Sequence, residues 1–161
     1  MITGMAFNIA QAVGQDNVED LDRIAALIEG ADVVGLPRTP NGYRELLEAH
    51  TAGLTVFVTH PTAEEPHLRA PQLDAVRAVV GDPRTPTILM GDLNEPASTC
   101  GLTDAAAGPT YPSEAPVERL DYVLAGGGLE VVEARIVATD ASDHLPLMVT
   151  LSPSEWASPS W

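Results

Sequence analysis

Short apolar runs alternate along the chain with polar segments rich in Gly, Pro, Asn and Asp. Runs of four to eight apolar residues between such segments are typical of β-strands. The pattern predicts strands over 5–10, 31–36, 55–60, 87–90 and 120–124, with 129–137 and 145–151 as a closing pair. The segment 44–49 fits either a strand or a helix, and 37–42, which contains two prolines and an Asn-Gly pair, is predicted to be a loop.

Two segments have apolar residues at helical spacing. The first helix is predicted over 18–29, between Asn17 as N-cap and a stop at Gly30, with one apolar face formed by Val18, Leu21, Ala25 and Ile28. The second is predicted to begin with Pro71 in its first turn and to carry an apolar stripe of Leu73, Val76, Val79 and Val80. Strands therefore outnumber helices, which favours a layered α/β (α+β) sandwich with its helices outside.

The length of 161 residues suits one domain, which we expect over 1–151, followed by a loose Ser- and Pro-rich tail over 152–161. The chain has 8 Lys+Arg, all of them Arg, against 23 Asp+Glu, for a net charge of −15. This balance disfavours duplex DNA as a partner, because binding it depends on basic side chains. A small phosphoester or a phospholipid head group is the more suitable substrate, and the oligomeric state is left open.

The single cysteine excludes an intramolecular disulfide framework and a CxxC zinc site. No apolar run approaches the ~20 residues that span a bilayer, so we expect no stable membrane insertion. The N-terminal residues lack the features of a signal peptide, which makes the cytoplasm the default location.

Two polar stretches follow apolar strand-like runs: Gly91-Asp92-Leu93-Asn94 and Ser142-Asp143-His144. Strands that end in such residues can deliver them to a common site. Carboxylate, amide and imidazole groups together suit a divalent cation and an activated water that attacks a phosphate ester. Either stretch could instead be an ordinary Asx turn. Together they make a hydrolytic site the leading hypothesis.

Seven short pieces occur in an order that resembles the endonuclease/exonuclease/phosphatase family, which has the DNase I-like fold. They are Phe7-Asn8-Ile9, 31–36, Val58-Thr59-His60, Arg69 with Gln72, 91–96, Arg119-Leu120-Asp121-Tyr122 and 142–146. The resemblance implies a two-sheet β-sandwich and a phosphodiesterase or phosphomonoesterase that depends on Mg²⁺ or Mn²⁺. The chain is short for that fold, so we expect a shortened version with an internal deletion.

The resemblance also implies catalytic roles for five residues. His60 would contact or protonate a phosphate oxygen. Asp92 would orient or deprotonate the attacking water, and Asn94 beside it would hold the phosphate. Asp121 would accept a hydrogen bond from an imidazole, and His144 would stabilise the charge that develops at phosphorus.

The same resemblance assigns the metal to Asn8 and Asp143, but it fails at a third position. Relatives continue the strand over 31–36 with Gln-Glu, whose Glu is the main metal ligand, whereas this chain continues with Pro37 and Arg38. We therefore expect an impaired metal site and weak activity, unless Glu45 or Glu48 replaces the missing ligand. The alternative is a non-catalytic remnant of the family that acts as a binding module or has no activity.

Overall fold

The computed structural model describes residues 1–37, 46–51, 53–95, 101–105 and 107–154. The strands, in chain order, are β1 (Ile2–Ala6), β2 (Val33–Gly35), β3 (Leu46–Thr51), β4 (Leu54–Thr59), β5 (Thr87–Asp92), β6 (Thr103–Asp104), β7 (Asp121–Gly126), β8 (Leu129–Ile136) and β9 (Leu147–Pro153). The helices are α1 (Leu21–Ile28) and α2 (Pro66–Val80). A short turn over Ala10–Ala12 follows β1.

These strands form two sheets. The first has the order β2-β1-β9-β8, in which β1 and β2 are parallel and the other pairs are antiparallel. The second has the order β3-β4-β5-β7-β6, in which β4 and β5 are parallel. Since β7 runs antiparallel to β5, the end of β5 and the start of β7 lie at the same edge of this sheet.

The main core lies between the two sheets and follows the two-residue period of the strands. Ile88 and Met90 of β5 face inward, together with residues of β1, β4, β7 and β9: Ala6, Val56, Val123, Ala125, Leu147 and Val149. The residues between them face outward. Leu89 packs toward α2 and Met5 toward α1, so that each sheet also buries its outer surface. The predicted two-sheet sandwich with outer helices is confirmed.

The first helix begins three residues later than predicted. Asp20 is its N-cap, because the Asp20 carboxylate accepts the backbone N–H groups of Asp22 and Arg23. Asn17 has a φ of 59°, which is unsuitable for an N-cap. The predicted apolar face is also wrong, because Leu21 is exposed and the buried residue is Ile24.

The second helix begins five residues earlier than predicted. Pro66, not Pro71, occupies the first helical position, where its fixed φ suits the helix and its missing N–H costs nothing. Pro71 lies inside the helix, which continues through it. Leu73, Val76 and Val80 are buried as predicted, whereas Val79 is exposed.

The remaining differences lie at the ends of elements. The first strand covers 2–6 and not 5–10, and the two-residue strand β6 was not predicted. The closing pair is confirmed as the β8·β9 hairpin, and the ambiguous segment 44–49 is a strand where the structure describes it. In the described part of the chain, no helix is long and apolar enough to cross a membrane.

Candidate active site

Four polar residues continue the inward-facing positions of four strands at one end of the sandwich. Asn8 lies two residues beyond inward-facing Ala6, and Asp92 is two residues beyond inward-facing Met90. His60 lies two residues beyond Val58 of β4, and Asp121 lies two residues before Val123 of β7, which runs in the opposite direction. The alternation that builds the core therefore delivers an amide, an imidazole and two carboxylates to the space between the sheets.

Gly91 allows β5 to approach the neighbouring strand β4 closely next to this site. A Cβ atom at residue 91 would lie 1.9 Å from the carbonyl oxygen of Thr59, and Gly91 has a φ of 144°. Thr59 directly precedes His60, and Gly91 directly precedes Asp92. A side chain at position 91 would therefore push apart the backbones that carry both residues.

Asp92 is the centre of the cluster and is only 1% exposed. Its Oδ2 accepts a hydrogen bond from Asn8 Nδ2 at 2.9 Å, and its Oδ1 accepts one from the Asn94 backbone N–H at 3.0 Å. Two imidazoles also approach Oδ2, with His60 Nε2 at 3.4 Å and His144 Nε2 at 3.7 Å. Donors from both sheets thus meet at one buried carboxylate.

His144 is oriented by Asp121, which lies opposite Asp92 in the β5·β7 ladder. The Nδ1 atom of His144 lies 2.8 Å from Asp121 Oδ2, so Nδ1–H donates and Nε2 is directed toward Asp92. Asp121 is fully buried, and its backbone N–H donates to Thr110 Oγ1. The Tyr111 ring packs against the imidazole, with a centroid separation of 4.8 Å. Carboxylate and ring together fix the imidazole.

The protonation of this cluster is set by burial and by mutual charge. Burial raises the pKa of Asp92 most, the negative charge of Asp121 adds to it, and the pKa reaches about 6 even though His144 and hydrogen-bond donors lower it. Burial opposes the charged form of His144, but the hydrogen bond to Asp121 and the charges of three nearby carboxylates raise its pKa overall. A buried carboxylate with a raised pKa and an imidazole whose charged form is favoured therefore lie side by side.

Asn8 and Asp143 are joined through the buried hydroxyl of Ser142. Ser142 Oγ donates to the Asn8 carbonyl oxygen at 2.7 Å and lies 3.3 Å from Asp143 Oδ1. The Asp143 side chain is exposed, and the Asn8 side-chain oxygen accepts the Ala10 N–H at 3.1 Å. Carboxylate and amide oxygens are ligands that Mg²⁺ accepts while it retains several waters. The Asn8 side-chain oxygen and the Asp143 carboxylate are therefore candidate ligands of the right chemical type for such an ion.

A second group could also hold a cation. Asp92, Asp121 and His144 offer ligand atoms that all lie within 4.8 Å of one another. Asp121 Oδ1 is buried and has no hydrogen-bond partner among the described residues. However, an ion bound through His144 Nδ1 would displace the hydrogen bond between His144 and Asp121.

Arg69 of α2 holds together the two loops that carry His60 and Asn94. Its guanidinium donates to the carbonyl oxygens of Thr62 at 2.8 Å and Ala63 at 2.6 Å, and also to that of Asn94. The side-chain nitrogen of Asn94 donates to the Pro61 carbonyl at 3.0 Å. Arg69 was part of the resemblance, but the sequence suggested no role for it.

The structure thus brings five of the seven predicted site residues into one connected cluster. Asn8, His60 and His144 approach Asp92 directly, and Asp121 joins them through His144. Asn94 contributes its backbone N–H and turns its side-chain nitrogen toward Pro61, and Asp143 joins the group through Ser142. Tyr111 and Thr110 were missed, because they lie in a loop without periodicity.

Glu48 is the one described residue among the three that bear on the missing metal ligand. Arg38 and Glu45 lie outside the described residues. Glu48 is exposed on β3, where its Oε1 lies 3.0 Å from His50 Nε2, and it is paired in register with Phe57, which faces α2. Glu48 therefore points away from the space between the sheets and does not supply the ligand.

The model of the Endonuclease/Exonuclease/phosphatase family matches residues 5–144, which include every site residue named above. No curated protein matches the sequence significantly.

Solved structures share the fold. The endonuclease/exonuclease/phosphatase from Beutenbergia cavernae DSM 12333 is 19% identical, with a TM-score of 0.73, over 95% of this chain and 72% of that chain. A humanized D. rerio TDP2 carrying 14 mutations is 13% identical, with a TM-score of 0.73, over 94% of this chain and 98% of that chain. An endonuclease/exonuclease/phosphatase from Bacteroides vulgatus is 15% identical, with a TM-score of 0.65, over 95% of this chain and 99% of that chain. At these identities the likeness concerns the fold.

Proposed function

Because the chain belongs to the endonuclease/exonuclease/phosphatase family, we propose that it hydrolyses a phosphodiester or phosphomonoester through metal-assisted attack of water. The observation that carries this proposal is the buried contact of Asp92 with Asn8, His60 and His144, in which His144 is held by Asp121. Phosphoryl transfer needs a base for water and positive charge for the phosphate oxygens, and this cluster has side chains for both.

Asp92 is proposed to orient the attacking water and to take its proton. With a pKa of about 6, the carboxylate is mostly ionised at neutral pH and is a stronger base than an exposed aspartate. Asn8 Nδ2 and the Asn94 N–H hold its two oxygens in place. The water would therefore meet a fixed carboxylate.

His144 is proposed to stabilise the charge that develops on the phosphate. Its Nδ1–H is held by Asp121, so a protonated ring directs Nε2–H toward the space beside Asp92. His60, with Nε2 on the same Asp92 oxygen, is proposed to contact or protonate another phosphate oxygen. Such donors are worth most in a buried site, where water does not weaken them.

Asn8 and Asp143 are proposed to hold the divalent cation, Mg²⁺ or Mn²⁺. When bound, such an ion withdraws charge from the phosphate and lowers the pKa of a bound water. We favour this position over the group of Asp92, Asp121 and His144, because those side chains already bond to one another. With only one carboxylate, the Asn8 and Asp143 pair is expected to bind the ion weakly.

The net charge of −15 supports a small phosphoester or a phospholipid head group as substrate in preference to duplex DNA. A compact phosphate next to a bound cation needs no basic surface.

Hydrolysis of bis-p-nitrophenyl phosphate and p-nitrophenyl phosphate should test the activity, with Mg²⁺, with Mn²⁺ and with EDTA. We expect turnover with either ion and none with EDTA. Asp143→Asn should weaken Mn²⁺ binding in calorimetry, whereas exposed Asp82→Asn should leave the isotherm unchanged. Turnover that survives both EDTA and Asp143→Asn would contradict the proposed metal site.

The non-catalytic remnant is the second candidate, because the chain has Arg38 where the family pattern has Glu. If residue 38 approaches the ion, Arg38→Glu should strengthen Mg²⁺ binding, since a carboxylate replaces a repelling cation. A folded parent that neither hydrolyses phosphoesters nor binds Mn²⁺ would favour the remnant.

A further inference from the structure

A cleft of about 420 Å³ opens directly beside the proposed metal ligands. Asp143 forms part of its lining, and so does Ala10, whose N–H is bonded to the Asn8 side chain. One wall is the loop after β1, with Gln15 and Asn17, and the opposite wall is the loop before β7, with Ser113 and Glu114. The volume is in the range of small-molecule sites.

Both walls are tied to the segment that carries Asp143 and His144. Ser113 donates its backbone N–H to the Asp143 carbonyl at 2.8 Å and its hydroxyl to the Ser142 carbonyl at 2.7 Å. On the other side, the Gln15 N–H donates to the Asp140 carbonyl at 2.9 Å. The Gln15 side chain then spans the cleft, with Nε2 at 2.6 Å from Ser113 Oγ. The cleft is therefore built together with the site.

Arg23 further stabilises the loop after β1, which forms one wall of the cleft. Its guanidinium reaches Asp16 at 2.8 Å and Asp20 at 3.0 Å, and one nitrogen lies 3.6 Å from Asp140. These contacts join the loop after β1 to α1 and to the segment before Asp143. A loop held from both ends can present Gln15 in a fixed position, which lowers the entropy cost of binding.

The chemistry of the lining excludes two common classes of leaving group. Among the residues that the structure describes, the lining contains no Arg, Lys or His, and it includes the carboxylates of Asp143 and Glu114. If Asp143 ligates the cation, the exposed carboxylate of Glu114 still places a negative charge at the cleft, which repels a second phosphate. The described part of the lining also has no aromatic ring on which a nucleobase could stack.

What the cleft offers instead are donors and acceptors for hydroxyl groups. Asn17 has an amide that both donates and accepts, and Glu114 accepts. Gln15 bonds to Ser113 through one N–H, which leaves its second N–H and its amide oxygen for a ligand. Val13 and Pro112 add apolar surface that suits the C–H faces of an aliphatic alcohol. We propose that this cleft is a subsite for the alcohol part of the substrate and selects a neutral, hydroxyl-rich aliphatic group. The proposal rests on the proposed function, in that the phosphate lies at the Asp92 cluster.

Steady-state kinetics on four phosphomonoesters would test this subsite. Glycerol monophosphate is the expected good substrate. Adenosine monophosphate and a hexose bisphosphate represent the two excluded classes of leaving group, one with a nucleobase and one with a second phosphate. Methyl phosphate is the reference substrate, because its methyl group has no hydroxyl. We expect kcat/KM for glycerol monophosphate to exceed that for each excluded class by about 10-fold or more. Gln15→Ala should lower kcat/KM for glycerol monophosphate by about 3- to 10-fold more than that for methyl phosphate, the usual effect of one hydrogen bond.

Charge reversal gives the complementary test. Glu114→Lys should raise kcat/KM for the hexose bisphosphate about 5-fold or more, whereas Glu130→Lys, on exposed β8, should not. Equal kcat/KM for glycerol and adenosine monophosphates, or a Gln15→Ala effect that is the same on methyl phosphate, would overturn the subsite.

Calorimetry with Mn²⁺ separates this proposal from the proposed function. If no substrate is hydrolysed but glycerol monophosphate binds and Gln15→Ala weakens that binding, the subsite stands and the phosphoesterase proposal fails. If neither hydrolysis nor binding of glycerol monophosphate is detected, both are overturned.

Discussion

Ionisation of Asp92 is expected to lower the stability of the folded protein as the pH rises toward neutrality, although the proposed reaction needs this carboxylate ionised. Its pKa is about 6 in the folded protein, against 3.8 for an ordinary aspartate, because burial and the neighbouring charge of Asp121 both favour the protonated form. The folded state therefore holds this proton more tightly than the unfolded state. The stability that this carboxyl contributes is complete below about pH 4 and is lost as the pH rises through about 6.

The size of the effect follows from the two pKa values. The full shift corresponds to about 3 kcal/mol, at ~1.36 kcal/mol for each pKa unit. From about pH 5 to about pH 8, linkage gives a loss of about 1.4 kcal/mol in the free energy of unfolding. Asp92→Asn cannot ionise and should escape this loss. The variant loses part of its hydrogen bonding to Asn8 or Asn94, but that cost, about 1 kcal/mol, hardly changes with pH.

Urea unfolding followed by circular dichroism would measure this effect, with EDTA present and at several pH values above the pI of 4.3. The free energy of unfolding of Asp92→Asn, minus that of the parent, should grow by about 1.4 kcal/mol from about pH 5 to about pH 8. The exposed control Asp82→Asn should show no such growth. A difference that stays constant or shrinks would refute the raised pKa of Asp92.

Three further predictions concern the same cluster. The kcat/KM for phosphoester hydrolysis should rise with pH through about 6, because Asp92 must lose its proton to act as base, and a flat profile would contradict that role. His144→Ala should lower kcat by about 10²–10³-fold, because a donor to the phosphate is lost. It should also destabilise the fold, because the buried carboxylate of Asp121 loses a hydrogen bond. Near-parental turnover would exclude His144 from the mechanism. Arg69→Ala should lower the free energy of unfolding by about 2–4 kcal/mol, through three lost hydrogen bonds to loop carbonyls, whereas exposed Arg84→Ala should have little effect in the same urea titration.

Much of the sandwich was predictable, because most of its strands are short apolar runs between polar segments that contain Gly, Pro, Asn and Asp. The run that ends at Asp92 buries both of its faces, and its polar end was recognisable as the tip of a buried strand. Helix ends were harder to predict. Spacing alone favoured Leu21 as a buried residue and Pro71 as a helix start, and the capping contacts of Asp20 and the position of Pro66 decided otherwise.

The candidate site was predictable as a set of residue types at strand ends, but not as a geometry. Asn8 and Asp92 are 84 positions apart and meet only because the two sheets stack. That stacking also buries Asp92 and raises its pKa.

What the sequence determined by itself was therefore local: the strands, the polar residues that follow them, and the family to which their order belongs. The tertiary structure alone decided which side chains meet. It placed Tyr111 against His144, Arg69 across two loops, and Gln15 against Ser113 from 98 positions away. The physical reason is that the pattern of apolar and polar residues within a few positions of the chain encodes whether a segment is a buried strand. The partners across a cleft depend on how whole sheets pack, and no local pattern contains that information.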